Sequence, residues 1–253
     1  MVLELYLDLL SQPCRAVYIF AKKNNIPFMM KPVEMLKGQH FTEEFNKVNI
    51  LRKVPVLKDG DFILEESTAI LLYLTRKYNT PSYWYPPDMK KRARVDEYLA
   101  WQISTIRAGT SKILWLKVRP LPPLLTGHQV SPEKLYEAME ELNLAIQKLE
   151  DKFLQEKPFL IGPEISLADL VAIVELMQVS PPPSTANSPA PQGRDLVAQR
   201  VELTLGKELF MEAWLPMILA PSPFPYCLAH LKQGRHWDNS AWPHYIAIFI
   251  RGF

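Results

Sequence analysis

The chain has 253 residues, 48% hydrophobic and 22% charged, with a formal net charge of +2. That size accommodates one large or two modest globular domains, and the near-neutral balance makes no case for a nucleic-acid partner. Two cysteines far apart, Cys14 and Cys227, suggest no disulfide framework; no apolar run reaches membrane-spanning length, and the amino terminus enters a strand pattern with no leader, so a soluble protein of the reducing cytoplasm is expected.

Leu3, Leu5 and Leu7 alternate with Glu4, Tyr6 and Asp8, the period of a strand with one buried face. From Cys14 the period becomes helical through Ala16, Val17, Phe20 and Ala21. Ser11 stands at the N-cap position and Pro13 in the first turn, where its missing N–H has no intrahelical role. The positive end of that helix suits an anion or a thiolate, while Ser11 taken alone reads first as a helix cap.

Phe28 to Glu34 predicts a second strand, Lys37-Gly38-Gln39-His40 a loop, and Thr42-Glu43-Glu44 a short helix that fades near Asn49. Pro55-Val56-Leu57 and Phe62-Ile63-Leu64 predict two strands joined by a turn at Asp59-Gly60. A helix from Ser67 to Tyr78, with Ile70, Leu71 and Leu74 inward, completes an α/β unit over about residues 1–80. Asn79 to Pro87, with three prolines and several aromatics, reads as a linker.

Beyond it the pattern is helical to about residue 178. Asp88 caps a long helix with Val95, Leu99, Gln102 and Ile106 on one line, and Gly109 with Pro120, Pro122 and Pro123 marks its end. Ser131-Pro132 opens the most regular helix, where Leu135, Met139, Leu142, Ile146, Leu149 and Phe153 form a packing seam. Ser166 and Asp169 form a capping-box variant, with Ile165 and Leu170 placed as a hydrophobic staple, a folding role rather than catalysis. Much of the excess in the 23 prolines falls after this point: residues 179–193 are low-complexity, 200–213 return to a helical pattern, and 220–253 read as a poorly ordered tail closing on an apolar run, Tyr245 to Ile250. Cys227, His230, His236 and His244 lack regular metal-ligand spacing, so no metal is expected.

The Ser11-Gln12-Pro13-Cys14 run resembles the Cys-x-x-Cys turn of thioredoxin-like folds with serine in place of the first cysteine. Across residues 1–178 and 200–213 the chain resembles the theta-class glutathione transferases, which place a serine here. The resemblance implies a thioredoxin-like N-terminal domain over 1–80 and an all-α C-terminal domain over 88–219, interrupted by the insert at 179–193. It implies that Ser11 hydrogen-bonds the sulfur of bound glutathione and favours its thiolate. His40 and Lys53 would meet the glycine carboxylate, and Val54, before a cis Pro55 and an edge strand, the cysteinyl backbone. Ser67 would take the γ-glutamyl carboxylate, Glu66 its ammonium, and Arg107 would face the thiol or the substrate.

The implied activity is thiolate attack on organic halides, epoxides and hydroperoxides, a detoxification chemistry, by a homodimer that uses glutathione as co-substrate and no cofactor. Ile50 departs from the family, which usually has proline there. The alternatives are a non-catalytic binding protein of the same fold, with an electrophile pocket impaired by the altered C-terminal third, and thiol exchange at Cys14, which reads better as a small buried apolar group. The insert and tail look like an alternative splice product or a mis-assigned gene end.

Overall fold

The computed structural model describes residues 2–118 and 132–179. β1 (Leu3–Leu7) leads into α1 (Gln12–Lys23) and β2 (Phe28–Pro32), followed by a short α2 (Glu43–Asn46), β3 (Val56–Asp59), β4 (Phe62–Leu64) and α3 (Ser67–Lys77). The four strands form one sheet in the order β2-β1-β3-β4. β1 and β2 are parallel, the pairing that needs a crossover such as α1, whereas β1–β3 and β3–β4 are antiparallel. Leu3, Leu5 and Leu7 are buried and Glu4 and Tyr6 are not, as alternation predicts. Gly60 closes the β3–β4 turn at φ +63°, a left-handed conformation that suits glycine. Asp59 of this hairpin accepts a 2.5 Å hydrogen bond from the Tyr73 hydroxyl and pairs with Lys77, so the turn is tied to α3. One expectation is corrected: β3 lies between β1 and β4, and the edges are β2 and β4.

The helical part contains α4 (Met89–Ser104), α5 (Ile106–Val118), α6 (Pro132–Lys148) and α7 (Leu167–Leu176). Asp88 caps α4 by accepting from the Lys91 N–H at 2.9 Å. Gly109 does not end this helix; α4 stops at Ser104, and Gly109 lies within α5. Its role is steric. A Cβ at Gly109 would sit 3.1 Å from Leu142 Cδ1, so the missing side chain lets α5 and α6 approach. Gly109→Val should overpack that crossing and lower stability by about 1–3 kcal/mol in chemical denaturation. An unchanged midpoint would show that the crossing is loose.

The α6 seam continues into a π-helical turn at Leu149–Leu154 that buries Leu149, Phe153 and Leu154. All ten residues of α7 are buried, including the carboxylates Asp169 and Glu175, as the helix packs on α1, α4 and α5. Its amino end carries the predicted capping box, and Ile165 and Leu170 are both buried. The segment read as a linker holds a peg: Trp84 is fully buried, its ring edge-on to Phe20 at 5.3 Å. Its indole N–H donates to Asn24 Oδ1 at 3.0 Å, and its carbonyl accepts from Leu167 N–H at 2.9 Å. The proline cluster at 120–123, the insert beyond Val179, the 200–213 segment, the tail and the Cys227–His244 group lie outside the described residues.

Candidate active site

Four chain segments converge on one end of the sheet, and the strand register shows which. Leu7, the last residue of β1, pairs with Pro32, the last of β2; Tyr6 pairs with Val56, the first of β3; and Leu57 pairs with Leu64, the last of β4. The loops holding Ser11, His40, Lys53-Val54 and Glu66-Ser67 therefore all leave the sheet at the same end. The amino termini of α1 and α3 lie there too. Two helix N-termini at one sheet end provide uncompensated N–H groups for anionic groups of a ligand.

The Ser11 loop is held from both sides. Asp8 Oδ1 accepts from Leu10 N–H and Asp8 Oδ2 from Met35 N–H, each at 2.9 Å, which ties this loop to the one preceding His40. The Ser11 N–H donates to Asp8 O at 2.9 Å. Ser11 has extended N-cap backbone angles, φ −82° and ψ 125°, yet its hydroxyl makes no capping bond to the helix, contrary to the simple cap reading. The hydroxyl neighbours the Cys14 sulfur instead. Burial pushes the Cys14 thiol up to about 12, outweighing the opposing Ser11 and Asp8 hydrogen bonds, and the residue is fully enclosed. A thiol so placed is a packing group rather than a nucleophile.

Sequence reading missed Arg15, which is fully buried one residue beyond Cys14. Its Nη1 donates to the carbonyls of Leu9 and Leu10 at 2.9 and 3.1 Å. Its Nη2 donates across to α7, to Val174 O at 3.1 Å and to Gln178 Oε1, in the turn after α7, at 2.5 Å. Burial lowers the guanidinium to about 10, while the Glu175 and Asp8 carboxylates favour its charge, so it stays cationic at neutral pH. Gln12 was also missed; its Nε2 is buried beside Ser11 with no partner among the described residues.

His40 lies in a 3₁₀ turn, Gln39–Phe41, entered through Gly38 at φ +71°. Its ring sits 3.8 Å from that of Phe41, and burial lowers its pKa, which favours neutral imidazole. Its Nδ1 is buried and without a partner among the described residues. The Lys53 side chain is exposed, and its carbonyl accepts from Asn49 Nδ2 at 2.8 Å. Asn49 Oδ1 accepts in turn from Leu51 N–H at 2.7 Å, so the loop is braced internally. The Ile50 side chain, where the family usually has proline, is 79% exposed and leaves that brace intact. The Val54–Pro55 bond is cis.

Glu66 precedes α3 at φ +64° and ψ 111° with no side-chain capping bond. A non-glycine residue in that region costs on the order of 1–3 kcal/mol, and such strain concentrates at ligand sites. The exposed Glu66 carboxylate and the buried Ser67 thus flank an uncapped helix terminus. Arg107 is neither free nor simply solvated: its Nε lies 3.3 Å from Glu175 Oε1 on α7. Glu175 Oε2 also accepts from the Thr110 hydroxyl at 3.0 Å. Burial raises the Glu175 carboxyl, opposed by Arg107, Thr110 and Arg15.

Among the described residues no helix is long and apolar enough to cross a membrane, and no group of three or more His, Cys, Asp or Glu is placed to hold a metal ion.

The family model "Glutathione S-transferase, N-terminal domain" matches residues 5–82. Glutathione S-transferase theta-1 of Homo sapiens is 56% identical over 236 residues, covering 92% of this chain and 95% of the relative. That share takes in more of the chain than residues 1–178 and 200–213. Glutathione S-transferase theta-3 of Mus musculus is 55% identical over the same shares, 92% and 95%. Among solved structures, human glutathione-S-transferase T1-1 in its apo form superimposes with a TM-score of 0.78 at 54% identity, covering 91% of this chain and 97% of that one. Human glutathione transferase theta-2, solved with glutathione and an unknown ligand, gives 0.77 at 43% identity, covering 98% of each. With this sheet order, this serine at the head of α1 and this identity along its length, the chain belongs to the theta class of the glutathione transferase family.

Proposed function

We propose that this enzyme directs the thiolate of reduced glutathione at small electrophiles, with Ser11 as the group that favours the thiolate. The observation that carries the reading is a serine at the N-cap of α1 whose hydroxyl makes no capping bond. No helix N–H holds the hydroxyl, so it can turn from the Cys14 sulfur to donate to a ligand sulfur placed before the helix terminus. With an organic halide the sulfur forms a bond to carbon while halide leaves with its bonding electrons. With an epoxide the carbon–oxygen bond breaks and the alkoxide takes a proton from water. With a hydroperoxide the sulfur bonds to the terminal oxygen as the oxygen–oxygen bond breaks, giving a sulfenic acid and an alkoxide that takes a proton from water; a second glutathione thiol then converts the sulfenic acid to disulfide and water.

The tripeptide ends are assigned to the convergent loops. Neutral His40 and the Lys53 ammonium meet the glycine carboxylate, and the Val54 main chain meets the cysteinyl backbone. Ser67 with the uncapped start of α3 takes the γ-glutamyl carboxylate, and Glu66 its ammonium. Arg107, held on one side by Glu175, faces the thiol or the electrophile. No cofactor enters this scheme. A cytoplasmic homodimer belongs to the same reading, and a sedimentation mass of twice the chain supports the dimer while a single-chain mass removes it.

The direct test is conjugation of glutathione to a panel of small halides, epoxides and hydroperoxides; no turnover on any of them favours a non-catalytic binding protein. Titration calorimetry tests the ligand assignments. Lys53→Ala and Glu66→Ala should each weaken glutathione binding by about 5- to 20-fold, as expected for loss of a charge-assisted contact at one end of the peptide. Unchanged affinity in both variants would remove these two residues from the site.

A further inference from the structure

We propose that Arg15 is a positioning residue for the reaction, setting the placement of Ser11 by anchoring its loop to the turn after α7. This inference rests on the Ser11 reading above and adds to it a dependence on the helical part of the protein. The loop between β1 and α1 has few polar groups, and most are accounted for. Asp8 takes the Leu10 and Ser11 N–H groups, the first through its carboxylate and the second through its carbonyl. The Leu9 and Leu10 carbonyls are taken by one nitrogen of Arg15. The other terminal nitrogen of the same planar group is fixed to Val174 O and Gln178 Oε1, 159 and 163 residues away in sequence.

A guanidinium is rigid, so its two ends cannot move independently. Displacement of the turn at Gln178 is transmitted to the Leu9 and Leu10 carbonyls, the two residues immediately before Ser11. The charges around this anchor also come from both halves of the fold. Glu175 on α7 and Asp8, just after β1, act on Arg15 directly, and the neutral Cys14 thiol lies beside them. Arg107 and Thr110 on α5 act through Glu175, and the buried Tyr98 of α4 feels the same carboxylate. A group with only a packing role would not need four acceptors divided between a catalytic loop and a distant helix.

The test compares native enzyme with Gln178→Leu, Arg15→Lys, Ser11→Ala and a packing control, Ile173→Val, which trims a buried α7 side chain with no polar role. Each is titrated with reduced glutathione, and the ultraviolet absorbance of the bound thiolate is followed against pH. Gln178→Leu should raise the midpoint of thiolate formation by about 0.5 to 1 pH unit and lower kcat by roughly 3- to 10-fold below that midpoint. The KM for glutathione should stay within about two-fold, because the peptide contacts are elsewhere. Arg15→Lys should do the same more strongly, since one ammonium cannot span both sets of acceptors. If that variant does not fold, Gln178→Leu alone decides.

Ile173→Val should lower the melting temperature without moving the midpoint. If Gln178→Leu behaves like Ile173→Val, Arg15 is structural only and the inference is overturned. If Ser11→Ala leaves the native midpoint unchanged, the Ser11 reading itself has failed. A raised midpoint in Ser11→Ala with none in Gln178→Leu removes only the positioning role.

Discussion

Ser11→Ala is expected to lower the conjugation rate at about pH 6.5 by roughly 30- to 100-fold while leaving glutathione affinity within a few-fold of native. The magnitude follows from acid–base arithmetic. A free thiol has a pKa near 8.5, and a site that lowers it by ~2 units makes most of it thiolate at neutral pH for about 2.7 kcal/mol. Removing the hydroxyl lets the thiol pKa rise, so the fraction ionised falls most at low pH and recovers as pH climbs through the free-thiol range. The defect should therefore shrink toward pH 9. Full turnover by the variant near neutrality would reduce Ser11 to a bystander at the start of α1.

The largest effect on stability is expected at Asp169. Its fully buried carboxylate accepts from Leu160 N–H at 2.7 Å, Ser166 N–H at 2.9 Å and the Ser166 hydroxyl at 2.8 Å. Burial raises its pKa to about 6, with these donors pulling the other way. Asp169→Ala strands three buried donors at once and frees the chain before α7 from the helix end. At ~1–3 kcal/mol for each unsatisfied buried group, partly relieved by relaxation, the loss should be about 3–5 kcal/mol. That corresponds to a fall in melting temperature on the order of 10 °C. Scanning calorimetry measures it, and a fall of only a degree or two would mean that water replaces the carboxylate. Ser11→Ala, by contrast, should melt close to native, so the two substitutions separate chemistry from folding.

The parts of the molecule legible in sequence are those where one local signal suffices. The switch from alternating leucines to a helical period places β1, α1 and Ser11, and Asp59-Gly60 places the hairpin. The four-and-three spacing from Leu135 places α6. Gly109 misled because a glycine that ends a helix and one that admits a neighbouring helix look alike in one dimension; only Leu142, packed against it, distinguishes them. Trp84 was hidden among prolines whose composition suggests an open linker.

Arg15 was illegible for a different reason: on an apolar helix an arginine reads as the solvated face, and its acceptors on the helical side lie more than 150 residues away. At the site, topology explains why residues as scattered as Ser11, His40, Lys53 and Ser67 share one end of the sheet, but their individual roles came from resemblance. The positive φ at Glu66 carries no sequence signal, since glutamate, unlike glycine or asparagine, does not favour that region.

Trp84 bears on how this architecture can be rearranged. A segment with an exposed, featureless connector can be cut and spliced, each half keeping its own interior. Here the connector is itself buried and bonded to both parts, with its indole N–H on Asn24 Oδ1 and its carbonyl on the Leu167 N–H. Exchange of genetic material at residues 79–87 would thus join two parts that both bond to one buried tryptophan. Variation in this lineage is therefore expected to be inherited in whole-chain blocks or confined to loops far from that plug, and shuffled hybrids survive only where both contacts of the indole-bearing residue travel with it.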